Sequence, residues 1–131
     1  MHPKQEELET RLDAMCMDLD NYLEDQYRDI FPLHPNRPGR GAGANPSYDG
    51  VFATSISFTL GYGSQYGRGY LVIIDVRTLS RVSDTQREEI NNRAFIYIQS
   101  ALPKCFPERK LEIVRDGNLL KIIGDFSLGD V

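Results

Sequence analysis

The residues of this chain best equipped for chemistry lie between Thr59 and Asp75, TLGYGSQYGRGYLVIID, where four glycines, three tyrosines and one arginine run into an apolar stretch. Free glycine amides can cradle a phosphate, and tyrosine and arginine can stack on bases. Gly61-Tyr62-Gly63 with Gly67 spells GxGxxxG, one residue longer than the dinucleotide fingerprint GxGxxG. That fingerprint must also open a helix, whose N-terminus holds the pyrophosphate, whereas here a strand follows. The kinase glycine loop does lie between strands, but it needs a lysine on the next strand and HRD and DFG motifs that this chain lacks.

Arg68-Gly69-Tyr70 begins like the RNP1 motif of RNA-recognition domains, then departs from it: Leu71 and Val72 replace the small and aromatic residues, and Asp75 puts a carboxylate where a base would stack. The element order is also wrong for that fold. What survives is contact chemistry: Arg37, Arg40, Tyr62, Tyr66, Arg68 and Tyr70 are the candidate partner contacts, because tyrosine and arginine dominate contact hot spots. The competing reading is a long, mobile hairpin connection from Gly61 to Gly69.

No catalytic constellation accompanies it. His2 sits near the chain start and His34 between prolines, so Ser64 and Cys16 have no imidazole to activate them. Asp75 at a strand end reads as a partner for Arg77 or Arg81, and Asp13, Asp18 and Asp20 lie on a helix without the glycine and terminal glutamate of a calcium loop. Cys16 and Cys105 are too far apart for a CxxC pair and read as free thiols. These residues write no metal site and no cofactor site, and the chain reads more as a non-enzyme than as an enzyme.

The elements that would position these residues follow from periodicity. From Gln5 to Phe31, Leu8, Leu12, Met15, Leu19, Tyr22, Leu23, Tyr27 and Ile30 recur at three and four, one face of a helix, with acids on most of the other face. Such a face reads first as a helix lying on its own sheet; the alternative is a helix–helix seam between two copies, whose spacing Leu12, Met15, Leu19 and Tyr22 also keep. Pro32, Pro35 and Pro38 end this helix, and Asn36 to Gly50 has no periodicity, a loop of unusual length for a small domain. Val51–Leu60 alternates, with Phe52, Thr54, Ile56, Phe58 and Leu60 on one face, and Tyr70–Val76 is apolar on both faces, which places it centrally in a sheet. Ser83 with Gln86 forms a capping box for a helix that buries Ile90, Ala94, Ile98 and Ala101, interrupted by Pro103. Leu111–Arg115 and Leu119–Asp125 flank Asp116-Gly117, a tight-turn dipeptide.

The order is α-β-β-α-β-β: an α+β domain of 131 residues with a four-stranded antiparallel sheet carrying two helices on one face. Residues 1–31 form the acidic helix, 32–50 the Pro/Gly-rich loop, and 51–131 the sheet and second helix. Nine acids oppose three basic residues in positions 1–30, while five arginines oppose two acids in 31–81, a split that suits internal pairing or a charged partner. With no apolar run near the ~20 residues of a membrane helix and no secretory pattern, the chain reads as soluble and cytoplasmic. The expected function is protein–protein contact, as a self-associating subunit such as a homodimer or as an accessory of a larger assembly. The alternative is weak binding of nucleic acid or another polyanion through the Arg-Gly-Tyr loops.

Overall fold

A computed structural model describes residues 3–32 and 50–124. His2, His34, Arg37, Arg40, the glycine-rich connection over 36–49 and Asp125 lie outside the described residues. The elements follow the expected order: α1 (Pro3–Gln26), β1 (Phe52–Thr59), β2 (Gly69–Val76), α2 (Asp84–Cys105), β3 (Leu111–Asp116) and β4 (Leu119–Gly124). The four strands form one antiparallel sheet in the order β1-β2-β4-β3, with β2 and β4 in the middle. No helix among the described residues is long and apolar enough to cross a membrane.

Alternation in the strands decides which face is covered. Phe52, Tyr70, Val72, Ile113, Leu120 and Ile122 share one face and form a single core with Leu8, Leu12, Met15, Leu19 and Leu23 of α1 and Ile90, Ala94, Ile98 and Leu102 of α2. α1 lies over β1, α2 lies over β3, and the helices touch each other. Arg11 joins them at one end, stacking 4.3 Å from the Phe106 ring centroid and bonding to the Cys105 carbonyl and to Glu108. Leu12, Met15 and Leu19, which the alternative seam between copies would have used, are buried inside this core, so α1 covers its own sheet, as its periodicity first suggests.

Several local expectations are corrected. α1 stops at Gln26 rather than Phe31, and the chain then turns, so that Tyr27 and Phe31 pack on Phe52 while Ile30 faces solvent. Pro103 does not interrupt α2: it sits in the last turn, where one missing N–H is outweighed by the burial of Leu102 and Phe106, and the Phe106 amide still caps the Leu102 carbonyl at 2.8 Å. The β3–β4 register pairs Asp116 with Leu119, so the turn residues are Gly117-Asn118, not Asp116-Gly117. Gly117 has φ 63° and Asn118 does not adopt positive φ, the type II′ pattern whose twist matches the flanking strands. The capping box at Ser83 and Gln86 is present as read, with Gln86 N–H donating to Ser83 Oγ at 3.1 Å and Ser83 N–H to Gln86 Oε1 at 2.9 Å.

Candidate functional site

The glycine-rich loop between β1 and β2 is tied down rather than loose. The Ser64 amide donates to the Gly61 carbonyl at 2.9 Å, and the Ser64 hydroxyl accepts from the Tyr66 amide at 3.1 Å. Gly61, at φ 76°, is obligatory here because a Cβ would fall on the Gly67 carbonyl. The Ser64 hydroxyl then donates across to Asp116 Oδ2, and the centre of the cluster is Lys121, only 1% exposed. Its ammonium donates to Ser64 Oγ at 3.3 Å, to Asp116 Oδ2 at 3.3 Å and to the Gly67 carbonyl. Three donors meet three acceptors, which is what a buried lysine requires to keep its charge. Asp116 is held below the ordinary carboxylate range, first by the Ser64 hydroxyl and then by Lys121.

Lys121 lies on the helix-free face of the sheet, between Leu71 and Val114, so the loop folds over that face and roofs it. Sequence reasoning missed this residue. Its signal was a single lysine inside Leu119-Leu120-Lys121-Ile122-Ile123, an ammonium in an apolar strand that must find acceptors or leave the sheet.

The expected contact residues separate. Tyr62 projects at the loop tip, 91% exposed, Tyr66 is half-buried, and Arg68 is exposed with no ion pair or side-chain hydrogen bond among the described residues. Tyr70 does not join them. It faces the helices, 3% exposed, where its hydroxyl donates to Glu9 Oε2 at 2.8 Å and its ring meets Phe58 edge-on at 5.4 Å. Burial and the Glu9 carboxylate raise its phenol above the ordinary value, so it holds α1 to β2 and offers no face for stacking.

Three acids of α1 are likewise spent inward rather than on a solvated face. Glu9 takes the Tyr70 hydroxyl, Asp20 accepts from Thr54 Oγ1 at 2.6 Å, and Glu24 accepts from the Val51 amide at 2.9 Å. Asp75 pairs with Arg77 at 2.7 Å, as its position suggested. No group of three metal-ligating side chains occurs among the described residues.

The sheet edges differ. β3, at one edge, carries Glu112, Arg115 and Asp116, charges that oppose pairing with another strand. β1, at the other, reads FATSISFT: eight residues without a charge, proline or glycine, in unbroken register with β2 and therefore without a bulge. The phase of its hydrogen bonding is fixed by the Arg77 amide, which donates to the Val51 carbonyl at 2.6 Å. Odd-numbered residues of β1 thus bond to β2, and Phe52, Thr54, Ile56 and Phe58 turn their N–H and C=O groups outward. No described strand pairs with that outer edge. At its far end Phe58 is 46% exposed and Leu60 54%.

The model of a family described only as "Uncharacterised protein" matches residues 3–124, from the start of α1 to the end of β4. The chain belongs to that family. A protein of Borreliella burgdorferi named "Uncharacterized protein" is 45% identical over 120 residues, covering 92% of this chain and 94% of its own length. The likeness therefore extends over the helices, the sheet and the roofed loop alike. No solved structure matches the chain.

Proposed function

We propose that this protein is a self-associating subunit whose copies join through β1, so that two four-stranded sheets continue across the interface as one. The observation that carries this reading is the contrast between its two edges: β3 bears the charges that block strand addition, and β1 bears none. Antiparallel pairing of two β1 strands satisfies the outward N–H and C=O groups of Thr54, Ile56 and Phe58 in both copies, each bond contributing about 0.5–1.5 kcal/mol net. It also brings Phe58 and Leu60, exposed in a single copy, towards the edge of the second. An isologous contact of this kind closes on itself as a dimer.

The contact reading of the loop remains in a reduced form. Among the described residues it rests on Tyr62 and Arg68, beside a loop that Lys121 keeps in one conformation. This preorganisation suits a second protein surface, because the ordering cost of the loop is already met in the free chain. The polyanion alternative has Arg68 as its described cation and draws less support.

Light scattering after size exclusion tests the self-association. The parent should run near twice its 14.9 kDa chain mass at micromolar concentration. The double variant Ser55→Lys with Ser57→Lys, which sets like charges along the joined edges without touching the core, should run as a monomer with an unchanged circular dichroism spectrum. A monomeric parent, or a variant that remains dimeric, would overturn the reading.

A further inference from the structure

A second open stretch of backbone lies on the other side of β2. β4 pairs with β2 only at Tyr70–Ile122, Leu71–Lys121 and Val72–Leu120, because the chain turns away at Gly117-Asn118. The same phase that points even residues of β1 outward points even residues of β2 towards β4. Tyr70 and Val72 find β4 there, while Ile74 and Val76 extend past its first residue and have no backbone partner on that side among the described residues.

This edge borders a cleft of about 170 Å³ lined by Arg87, Ile90 and Asn91 of α2 and, at the end where the β3–β4 turn leads into β4, by Asn118 and Leu119. The side chains of Arg87, Asn91 and Asn118 make no hydrogen bond or ion pair among the described residues. The lining thus combines an unused strand edge, apolar walls, two free amides and one free guanidinium.

We propose that this cleft binds the C-terminal end of an extended peptide from a protein partner, added to β2 in line with β4. Each feature narrows the occupant. An extended chain is what completes the bonds of Ile74 and Val76. The cleft is smaller than the roughly 300–1,000 Å³ of ordinary small-molecule sites, so it does not suit a nucleotide. Leu119 and the β3–β4 turn stand in the path of any strand that would run through, so the added chain must end there. Arg87 decides which end: it repels an ammonium and pairs with a carboxylate, a charge-assisted bond that Asn91 and Asn118 can supplement. A chain running in the direction of β4 brings its carboxylate to the end lined by Asn118 and Leu119 and its last side chain towards the apolar wall of Val72, Ile90 and Leu120. The site lies across β2 from the β1 edge and does not depend on self-association.

The test uses the full chain labelled with ¹⁵N and three probes at millimolar concentration: acetyl-Thr-Val-Val with a free carboxylate, the same peptide as its C-terminal amide, and the amidated peptide acetyl-Thr-Asp-Val, whose carboxylate is on a side chain. The free acid should shift the amide resonances of Ile74 and Val76, with both amidated probes at least about tenfold weaker. Arg87→Gln, an exposed change that leaves the core alone, should weaken the free acid to the level of its amide. Equal binding of acid and amide, an equal or stronger response to the aspartyl probe, shifts that avoid Ile74 and Val76, or no shift with any probe would each overturn the proposal.

Discussion

Replacing Lys121 by methionine keeps the apolar stem and removes the ammonium, so the change isolates the polar cluster under the glycine-rich loop. The Gly67 carbonyl then loses a partner, and Asp116 keeps only the Ser64 hydroxyl. Removing one partner of a buried ion pair costs about 3–5 kcal/mol. Here the Asp116 side chain is 25% exposed, and water can take over part of the lysine's role, which lowers the expected loss to about 2–3 kcal/mol. For a chain of this length each kcal/mol is worth roughly 3–5 °C, so the melting temperature should fall by about 6–15 °C. The loss should be accompanied by faster hydrogen exchange at Ser64, Tyr66 and Gly67, which a general loosening of the core would not single out. Adding Asp116→Asn should recover part of the melting temperature, because no carboxylate is then left without its cation. The difference between parent and variant should also shrink in acid. Asp116 is held below its ordinary pKa, so its contribution is complete above about pH 4 and is lost as the pH falls through the depressed value. A variant that melts within about 1 °C of the parent, with loop exchange unchanged, would refute the claim that Lys121 holds the loop.

Two further expectations concern buried titrating groups. Burial first, and the nearby Asp20 and Asp13 second, push the Cys16 thiol up to about 12, so a thiolate reagent at pH 8 should titrate only Cys105 in the folded chain and both cysteines after denaturation; rapid reaction of both in the folded protein would contradict this. Burial and its bond to Glu89 push the Tyr27 phenol up to about 12, and Tyr70 is raised as well, so stability should hold to about pH 10 and fall as the pH climbs towards 12. Urea midpoints at pH 8, 10 and 11 measure it, Tyr27→Phe should flatten the decline, and a midpoint steady through pH 11 would count against the placement of the ring.

The fold was legible because its elements are amphipathic in the simplest way. The three-and-four spacing of α1, the alternation of β1, the two-sided apolarity of β2 and the Ser83 capping box each report a local geometry, and local geometry is what spacing encodes. The candidate site was less legible because its parts meet only through the sheet. Ser64, Asp116 and Lys121 come from a loop and two strands, and Tyr70 was read with its neighbours in sequence although strand alternation sends it to the opposite face from Lys121. The charged residues were read from the same one-dimensional view. Glu9, Asp20 and Glu24 fall on the acidic helix, but each accepts a bond from a hydroxyl or amide at the sheet, which helix periodicity alone does not reveal. The unprotected edge of β1 was visible as eight uncharged residues, yet its meaning depended on strand order, which placed β1 at the rim and β2 inside.

Amide hydrogen exchange along β1, followed from dilute to concentrated protein, tests the self-association most directly. The amides of Ala53, Ser55 and Ser57 are bonded to β2 in every state and should be protected at all concentrations. Those of Thr54, Ile56 and Phe58 point outward, and should exchange rapidly in dilute monomer and become protected in step with the doubling of mass. Outward amides that stay fast while the mass doubles would place the interface elsewhere and contradict the account.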